Sequence, residues 1–282
     1  MRLQFAKYEG LGNDFVLIDA ESPSDVVLDG PQMVALCDRH LGVGADGVIL
    51  TGVREGRPFM RVHNADGSTP EMCGNGIRCV ALHLVRTGRV PERQFFIDTD
   101  AGPHHCKVVP SEETATVEVR MRPATLVPSE VPVLAEAPVV DAPMEFDGAE
   151  VRVTAVSMGN PHAVVFDDVG DRRRALGPRI ETDPRFPARA NVGFAHLDRE
   201  GGLTLHVWER GAGWTRACGT GACAAAVAAV ETGRIPRGEP IAVKLPGGTL
   251  TITVPAPGEP VRMDGPARHV FDGSMTLGGS LP

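Results

Sequence analysis

The chain has 282 residues, of which 42% are hydrophobic and 23% are charged, and its formal net charge is −8 at pH 7. This length is typical of two domains rather than one small core. The acidic balance argues against a nucleic-acid partner, whose phosphates require a basic surface, but local arginines and helix N-termini still allow a small anionic substrate.

The chain shows no targeting or membrane signal. Its first ten residues, MRLQFAKYEG, lack the apolar stretch of a signal peptide, and no apolar run reaches membrane-spanning length. We therefore expect a cytoplasmic protein without membrane contact, whose six cysteines are reduced thiols rather than disulfides. A zinc site is a weaker alternative, because the closest groupings of metal-binding residues are Cys37 with His40 and the run His104-His105-Cys106. We predict no metal.

Local patterns predict short strands and three helices along the chain. Residues 33–40 predict a short helix, entered by Asp29 and Pro31 and ended by Gly42. Later segments are, in chain order, a helix at 77–85, strands at 115–121, 162–166 and 203–208, a helix at 222–230, and a strand at 250–254. Residues 222–230, ACAAAVAAV, are apolar on every side, so this helix must be buried on every side.

An internal repeat organises the sequence. Residues 59–91 match residues 204–236 without a gap at an offset of 145, and the match includes Cys73 with Cys218. Shorter echoes join GNDFVLID at Gly12 to GNPHAVVF at Gly159, and VRM at 119–121 to VRM at 261–263. We predict two copies of one domain, residues 1–125 with Cys73 and residues 150–275 with Cys218, joined by the proline-rich connection 126–149.

The repeat predicts an α+β fold of two pseudo-symmetric domains. Each domain is expected to be a curved, mostly antiparallel sheet or barrel around one central apolar helix, with the active site in the cleft between the domains. Both central helices are predicted to begin immediately after a repeated Cys-Gly-x-Gly segment, 73–76 and 218–221. The N–H groups and the dipole at such a helix start favour an anion, either a substrate carboxylate or the thiolate itself.

Two equivalent thiols suit inversion of a carbon stereocentre. One sulfur removes the α-proton as a thiolate, and the opposite thiol delivers a proton to the other face. The carbanion requires preorganised N–H donors and exclusion of water, and Gly74, Asn75, Gly219 and Thr220 lie where such donors are expected. The alternative is that Cys-Gly-x-Gly is only a tight turn retained from the duplication.

At these residues the chain resembles the diaminopimelate epimerase family. The resemblance extends over nearly the whole chain in the family's order; its motifs are GLGNDF at 10–15, GVGADG at 42–47, NADGS at 64–68, MCGNGIRC at 72–79, MGNPH at 158–162, AN-VGF at 190–194, ERGAG at 209–213, ACGTGACA at 217–224 and LPGG at 245–248. It implies interconversion of LL- and meso-2,6-diaminopimelate for lysine and peptidoglycan synthesis, without pyridoxal phosphate or metal. It also implies a homodimer, since family members are often dimeric.

The resemblance implies a role for each matched residue. Cys73 and Cys218 correspond to the catalytic cysteines, and the substrate-binding residues are Asn13, Asn64, Gly74, Asn75, Asn160, Asn191, Glu209, Arg210, Gly219 and Thr220. Asn13 and Glu209 fall near the reacting amine. Asn64, Asn160, Asn191 and Arg210 match residues that hold the distal amino-acid end, where an arginine can grip a carboxylate with two hydrogen bonds.

Other positions carry open alternatives. His162 and Glu209 are candidates for tuning the proton affinity of a cysteine, although a buried, hydrogen-bonded structural histidine explains His162 equally well. Some family members carry Gln at the position of Gly47 and Glu at that of Trp214, so positioning of the substrate is expected to differ there. Two other functions stay open: a racemase of another amino acid such as proline or histidine, and a noncatalytic thiol-redox or ligand-binding protein.

Overall fold

The protein is described by a computed structural model over residues 2–22, 28–70, 72–111, 114–146 and 148–276. The strands are β1 (Arg2–Gly10), β2 (Asn13–Asp19), β3 (Gly47–Arg54), β4 (Arg57–Asn64), β5 (Gln94–Thr99), β6 (Gly102–Pro110), β7 (Ala115–Pro123), β8 (Ala142–Phe146), β9 (Ala149–Ser157), β10 (Pro161–Val165), β11 (Asn191–Leu197), β12 (Leu203–Glu209), β13 (Gly213–Trp214), β14 (Pro240–Leu245), β15 (Gly248–Thr253) and β16 (Pro260–Thr276). The α-helices are α1 (Gly30–Cys37), α2 (Gly74–Arg86), α3 (Arg173–Glu181) and α4 (Gly219–Glu231), and a 3-10 helix (Gly170–Arg172) precedes α3.

The chain divides into two compact units. The first unit comprises the chain up to Val119 and from Gly265 onward, and the second comprises Arg120–Asp264. In the first unit, β1 pairs with β2, β2 with β3, and so on in order to β7; the β2–β3 and β4–β5 pairs are parallel and the others antiparallel. The end of β16 pairs with β1.

The second unit repeats the same order and orientations. Its path runs β9, β10, β11, β12, β14, β15 and the start of β16, and its second and fourth pairs, β10–β11 and β12–β14, are again the parallel ones. The predicted α+β fold, with two copies of a mostly antiparallel sheet around a helix, is thereby confirmed. The four strands predicted from sequence patterns lie within β7, β10, β12 and β15, apart from Phe166 and Val254, which each follow the last residue of an observed strand.

The sheet of each unit surrounds one helix. Helix α2 contacts β1, β2, β3, β4 and β6, and helix α4 contacts β9, β10, β11, β12, β14 and β15. Residues 222–230 of α4 are all buried, as its uniform apolar character requires. A helix enclosed in this way is held by its surroundings, so the backbone at its first turn is fixed in position.

Three predicted helix boundaries are corrected. Helices α2 and α4 begin at Gly74 and Gly219, so the Gly-x-Gly segments form the first helical turn instead of preceding it. The predicted end of the first helix at His40 is also wrong, because α1 ends at Cys37. The carboxylate of Asp38 accepts the N–H groups of His40 and Leu41, which gives this backbone an alternative to continuing the helix.

The compact units have boundaries that differ from the predicted domains in two places. The proline-rich stretch predicted as a connection contributes Val131, Val133, Val139 and Phe146 to the hydrophobic core of the second unit, because the apolar residues between its prolines are buried. The end of β16 belongs to the first unit, because it pairs with β1 from Arg2 opposite Thr276 to Glu9 opposite Arg268. Such a long-range pairing leaves no local signal in the sequence.

Across the described ranges, no helix is long and apolar enough to cross a membrane.

Candidate active site

The two repeated cysteines cap the two enclosed helices. Cys73 is the N-cap of α2 and its Sγ accepts the N–H of Gly76 at 3.4 Å; Cys218 is the N-cap of α4 and its Sγ accepts the N–H of Gly221 at 3.3 Å. The cysteine thus takes the position that serine, threonine or aspartate usually occupies at a helix start. Each sulfur is therefore held against the positive end of a helix whose backbone cannot easily move.

The surroundings of the two sulfur atoms differ. Cys73 is partly exposed, whereas Cys218 is buried. Burial raises the pKa of the Cys218 thiol well above its usual value, and the nearby Glu209 carboxylate raises it further, while hydrogen bonds with Thr220 and the Gly221 N–H lower it. The helix N-terminus alone predicts a lowered pKa, but at Cys218 the opposing effects of burial and a neighbouring anion are larger.

Glu209 is the acidic partner of Cys218. It ends β12, and its Oε1 accepts the hydroxyl of Thr215 at 2.5 Å. Burial raises the pKa of Glu209, whereas its hydrogen bonds with Thr215 and Cys218 lower it. In the internal repeat, Glu209 aligns with Asn64, so only the second copy carries a carboxylate at this position.

A second group of predicted residues meets at the start of α4. Asn160 donates through Nδ2 to Thr220 Oγ1 at 3.5 Å and its Oδ1 lies 3.0 Å from His162 Nε2. Burial lowers the pKa of His162 to about 3, with a smaller contribution from the positive charge of Arg210. His162 is therefore neutral near pH 7 and carries no positive charge that could lower the pKa of a cysteine.

Asn191 fixes the backbone at Arg210. Asn191 is buried on β11, donates to the Pro161 carbonyl at 3.0 Å, and accepts the N–H of Arg210 at 3.0 Å. The Arg210 guanidinium is exposed and donates to the Ala188 carbonyl at 2.8 Å. Four predicted residues, Asn160, Asn191, Glu209 and Arg210, are thus linked by short contacts to one region of the second unit.

Sequence reasoning missed the residue that anchors the loop after β12. Glu181, at the end of α3, is 4% exposed and accepts from Trp208 Nε1 at 2.6 Å and from the Gly211 N–H at 2.8 Å; Arg189 also pairs with it. Gly211 adopts φ 78°, a conformation that favours glycine. Glu181 lies outside the repeated segment and carries no motif, so nothing in the sequence marked it.

In the first unit, Asn13 and Asn75 are joined. Asn75, in the first turn of α2, donates through Nδ2 to Asn13 Oδ1 at 3.1 Å, and Asn13 donates through Nδ2 to Asp46 at 2.7 Å. Arg78, which is fully buried, donates to Asn75 Oδ1 at 2.9 Å and to the Gly74 carbonyl at 2.9 Å. Arg78 was not singled out from the sequence, although it is the one charged residue within the apolar run 77–85.

Asn64 has a different local setting. Its side chain donates to Ser68 Oγ at 2.9 Å and its backbone N–H to the Ser68 carbonyl at 2.8 Å, within the turn that follows β4. It lies opposite Gly47 in the β3–β4 ladder. These contacts hold the turn and do not connect Asn64 to Asn13 or Asn75.

The two departures from the family pattern have local explanations. A Cβ at Gly47 would lie 2.7 Å from the His63 carbonyl oxygen, so a larger residue requires a shift of the β3–β4 backbone. Trp214 is 39% exposed and packs edge-on against Trp208 and at a tilt against Phe194. Its ring therefore contributes to an aromatic cluster that supports the loop after β12.

The cysteines form no disulfide, and all six lie in described segments. Within the part of the chain that the structure covers, no group of three His, Cys, Asp or Glu side chains is arranged to hold a metal ion. Cys79 and Cys223 are fully buried in α2 and α4, where they contribute to packing.

Comparisons with known proteins point in one direction. The family model described as Diaminopimelate epimerase matches residues 5–127 and 154–270. A diaminopimelate epimerase of Desulforudis audaxviator is 47% identical over 279 residues, covering 96% of this chain and 98% of the relative. That of Synechococcus elongatus is 48% identical over 285 residues, covering 98% and 99%.

Solved structures of low sequence identity share the fold. A hydroxyproline epimerase from Agrobacterium vitis superimposes with a TM-score of 0.71 at 15% identity, covering 98% of this chain and 93% of that one. A methylitaconate-delta-isomerase gives a TM-score of 0.66 at 13% identity, covering 98% and 95%. At such identities the likeness concerns the fold alone.

Proposed function

This chain belongs to the diaminopimelate epimerase family, and on that basis we propose that it interconverts LL- and meso-2,6-diaminopimelate by proton transfer at one α-carbon. The predicted family is confirmed by the comparisons. The observation that most directly supports the chemistry is the pair of enclosed helices, each capped by a cysteine whose sulfur accepts a backbone N–H of its first turn.

Cys73 and Cys218 are the two catalytic groups of the proposal. The thiolate of one removes the α-proton and becomes a thiol, and the electron pair of the C–H bond stays on carbon and spreads into the carboxylate. The thiol of the other cysteine then gives its proton to the opposite face and becomes the thiolate. Substrate and product differ only in configuration, and the two sulfurs have exchanged protonation states.

The contrast between the two cysteines supports an order for these steps. Burial and the Glu209 carboxylate raise the pKa of Cys218, so that Cys218 is the thiol and donates the proton. Cys73, which is partly exposed at the helix N-terminus, then serves as the base in that direction of the reaction. The reverse reaction uses the same groups with their roles exchanged.

The remaining predicted residues hold the substrate in the proposal. The N–H groups of Gly74, Asn75, Gly219 and Thr220, all in the first turns of α2 and α4, stabilise the developing charge on the reacting carboxylate. Asn13 and Glu209 contact the reacting amine. Asn64, Asn160, Asn191 and Arg210 bind the distal amino-acid end.

The setting of the reaction follows from its chemistry. A thiolate and a thiol must coexist, and oxidation to a disulfide would remove both, so we place the enzyme in the reducing cytoplasm. The two-thiol mechanism needs neither pyridoxal phosphate nor a metal. A homodimer is part of the proposal from family resemblance, and sedimentation of the purified protein tests it.

Isotope exchange tests the function. Reduced enzyme is incubated with LL-2,6-diaminopimelate in D2O, and the isomers are separated and examined by mass spectrometry at early times. We expect each newly formed meso molecule to carry one deuterium while the remaining substrate stays protiated, because the donated proton comes from a thiol that has exchanged with solvent.

The control panel contains L-proline, trans-4-hydroxy-L-proline, L-histidine and L-lysine under the same conditions. Exchange with proline or histidine but not with diaminopimelate would replace the proposed substrate. Absence of exchange with every amino acid by the folded, reduced protein would overturn the enzymatic proposal and favour a redox or binding role.

A further inference from the structure

Arg78 makes directed contacts with three residues of the first unit, Gly74, Asn75 and Pro266, among its interactions there. Its guanidinium donates to the Gly74 carbonyl at 2.9 Å, to Asn75 Oδ1 at 2.9 Å and, through Nε, to the Pro266 carbonyl at 3.1 Å. The side chain is fully buried. A planar guanidinium with several fixed donors can hold these acceptors in one geometry, which a flexible lysine cannot reproduce.

The contact with Asn75 sets the direction of a string of amides. Because Arg78 can only donate, the oxygen of Asn75 must face it, and the Asn75 amide nitrogen then faces Asn13. Asn13 accepts through its oxygen and donates to Asp46 through its nitrogen. A cation at one end and a carboxylate at the other therefore orient both amides, and hydrogen bonds aligned in this way reinforce one another.

The contact with Gly74 acts on the neighbouring peptide. The Gly74 carbonyl and the Asn75 N–H belong to the same peptide group, so a hydrogen bond to the carbonyl polarises the N–H and strengthens it as a donor. In the proposed function this N–H faces the reacting carboxylate, and Asn13 faces the reacting amine. Both groups lie on the carbon that is inverted.

The internal repeat argues that Arg78 is not needed to build the helix. The position that aligns with Arg78 in the second copy is Cys223, which is buried. Helix α4 nevertheless has 13 residues, a cysteine N-cap and the same sheet order around it, as α2 has. In the second copy Asn160, the counterpart of Asn13, donates to Thr220, the counterpart of Asn75, so the direction of this link is reversed there.

We propose that Arg78 is a positioning residue that orients Asn13 and the Asn75 peptide toward the α-amino and α-carboxylate groups of the substrate. This inference rests on the proposed function for its substrate groups, but its structural part is independent of the substrate. Its loss should affect the reacting end, and therefore kcat, more than the binding of the distal end.

The amino-acid composition allows a direct structural test. The chain has five asparagines, Asn13, Asn64, Asn75, Asn160 and Asn191, so labelling with [15N]asparagine yields five side-chain amide signals. In the native protein we expect the amides of Asn13 and Asn75 to be protected from hydrogen exchange. In Arg78→Met these two signals should shift and lose protection, while the two from the second unit, Asn160 and Asn191, stay unchanged.

Three variants complete the design. Arg78→Lys retains the positive charge but lacks the planar guanidinium, so the Asn13 and Asn75 signals should change by an intermediate amount. This variant still tests the proposal if Arg78→Met does not fold. Asn75→Ala leaves the arginine in place but removes the amide that links it to Asn13, so the Asn75 signal is lost and, of the four remaining signals, only that of Asn13 should change. Arg86→Met is the matched control, since it makes the same substitution on the same helix but breaks a pair with Asp272 and a hydrogen bond with Tyr8 in place of the contacts of Arg78.

Kinetics with diaminopimelate supply the functional readout. We expect Arg78→Met to lower kcat by about a hundredfold, as small misplacements of reacting groups do, with KM changed less than about threefold. Arg78→Lys should lie between this variant and the native enzyme, and Arg86→Met should match the native enzyme. Unchanged Asn13 and Asn75 signals, or a native kcat, in folded Arg78→Met or Arg78→Lys would overturn the proposal. If the native enzyme does not exchange the α-proton of diaminopimelate, the proposed function is wrong. The amide signals of Asn13 and Asn75 still test whether Arg78 orients these side chains.

Discussion

Replacing Glu181 by glutamine should lower the stability of the second unit and weaken the binding that we propose there for the distal end of the substrate. The carboxylate of Glu181 accepts from Trp208 Nε1, from the Gly211 N–H and from Arg189. Glutamine has one oxygen and an amide group that can only donate, so one of the first two N–H groups must then face another donor.

The magnitude follows from the cost of a buried donor without an acceptor. Such a group costs about 1–3 kcal/mol, out of a typical stability of about 5–15 kcal/mol. With a urea dependence of about 2 kcal/mol per M, the unfolding midpoint should fall by about 0.5–1.5 M. If the Gly211 contact is the one lost, Arg210 is less fixed, and KM for diaminopimelate should rise about tenfold, equivalent to about 1.4 kcal/mol.

Tryptophan fluorescence is a suitable probe of this change. The two tryptophans of the chain, Trp208 and Trp214, both lie beside the loop after β12, and Trp208 bonds directly to Glu181. Glu231→Gln is the matched control, since it removes a carboxylate that pairs with Arg237 at the end of α4. Equal urea midpoints and equal KM values for Glu181→Gln and Glu231→Gln would refute this role of Glu181.

Three further outcomes are expected. Cys73→Ala and Cys218→Ala should each lower kcat about a thousandfold or more while the circular dichroism spectrum stays native. Arg210→Lys should lower kcat/KM for diaminopimelate about 10- to 100-fold, mainly through KM, because a point charge cannot replace the two hydrogen bonds that we propose between Arg210 and the distal carboxylate. Burial lowers the pKa of His162 to about 3, so below about pH 6.5 this histidine binds a proton in the unfolded chain but not in the folded protein. The free energy of unfolding should therefore fall by about 1.4 kcal/mol per pH unit from pH 6.5 downward. His162→Gln should remove this contribution to the pH dependence, as measured by urea titrations at pH 6.5 and 5.

Each of these outcomes has an opposite. A near-native rate in either alanine variant would remove that cysteine from the mechanism. An unchanged KM in Arg210→Lys would show that the distal carboxylate binds elsewhere. An equal pH slope in native protein and His162→Gln would mean that His162 takes up its proton in the folded state, against the effect of its burial.

The sequence by itself determined the parts of the protein that repeat. The gapless match around Cys73 and Cys218, and the uniformly apolar segment 222–230, predicted two helices enclosed by similar sheets, and the matching pair orders of the two units confirm this. These features can be recognised in the sequence because burial on all sides requires apolar residues throughout a helix, and because a duplicated fold retains its pattern of small and apolar positions.

The tertiary structure decided whatever depends on residues distant in the chain. The pairing of β16 with β1 joins the last described residues to the first, and no local pattern encodes it. The raised pKa of Cys218 comes from burial and from Glu209 nine residues earlier, whereas the cysteine's position at a helix start predicted the reverse. No sequence pattern marks Arg78 and Glu181, because the role of a buried charged group depends on the hydrogen-bond donors and acceptors that folding brings around it.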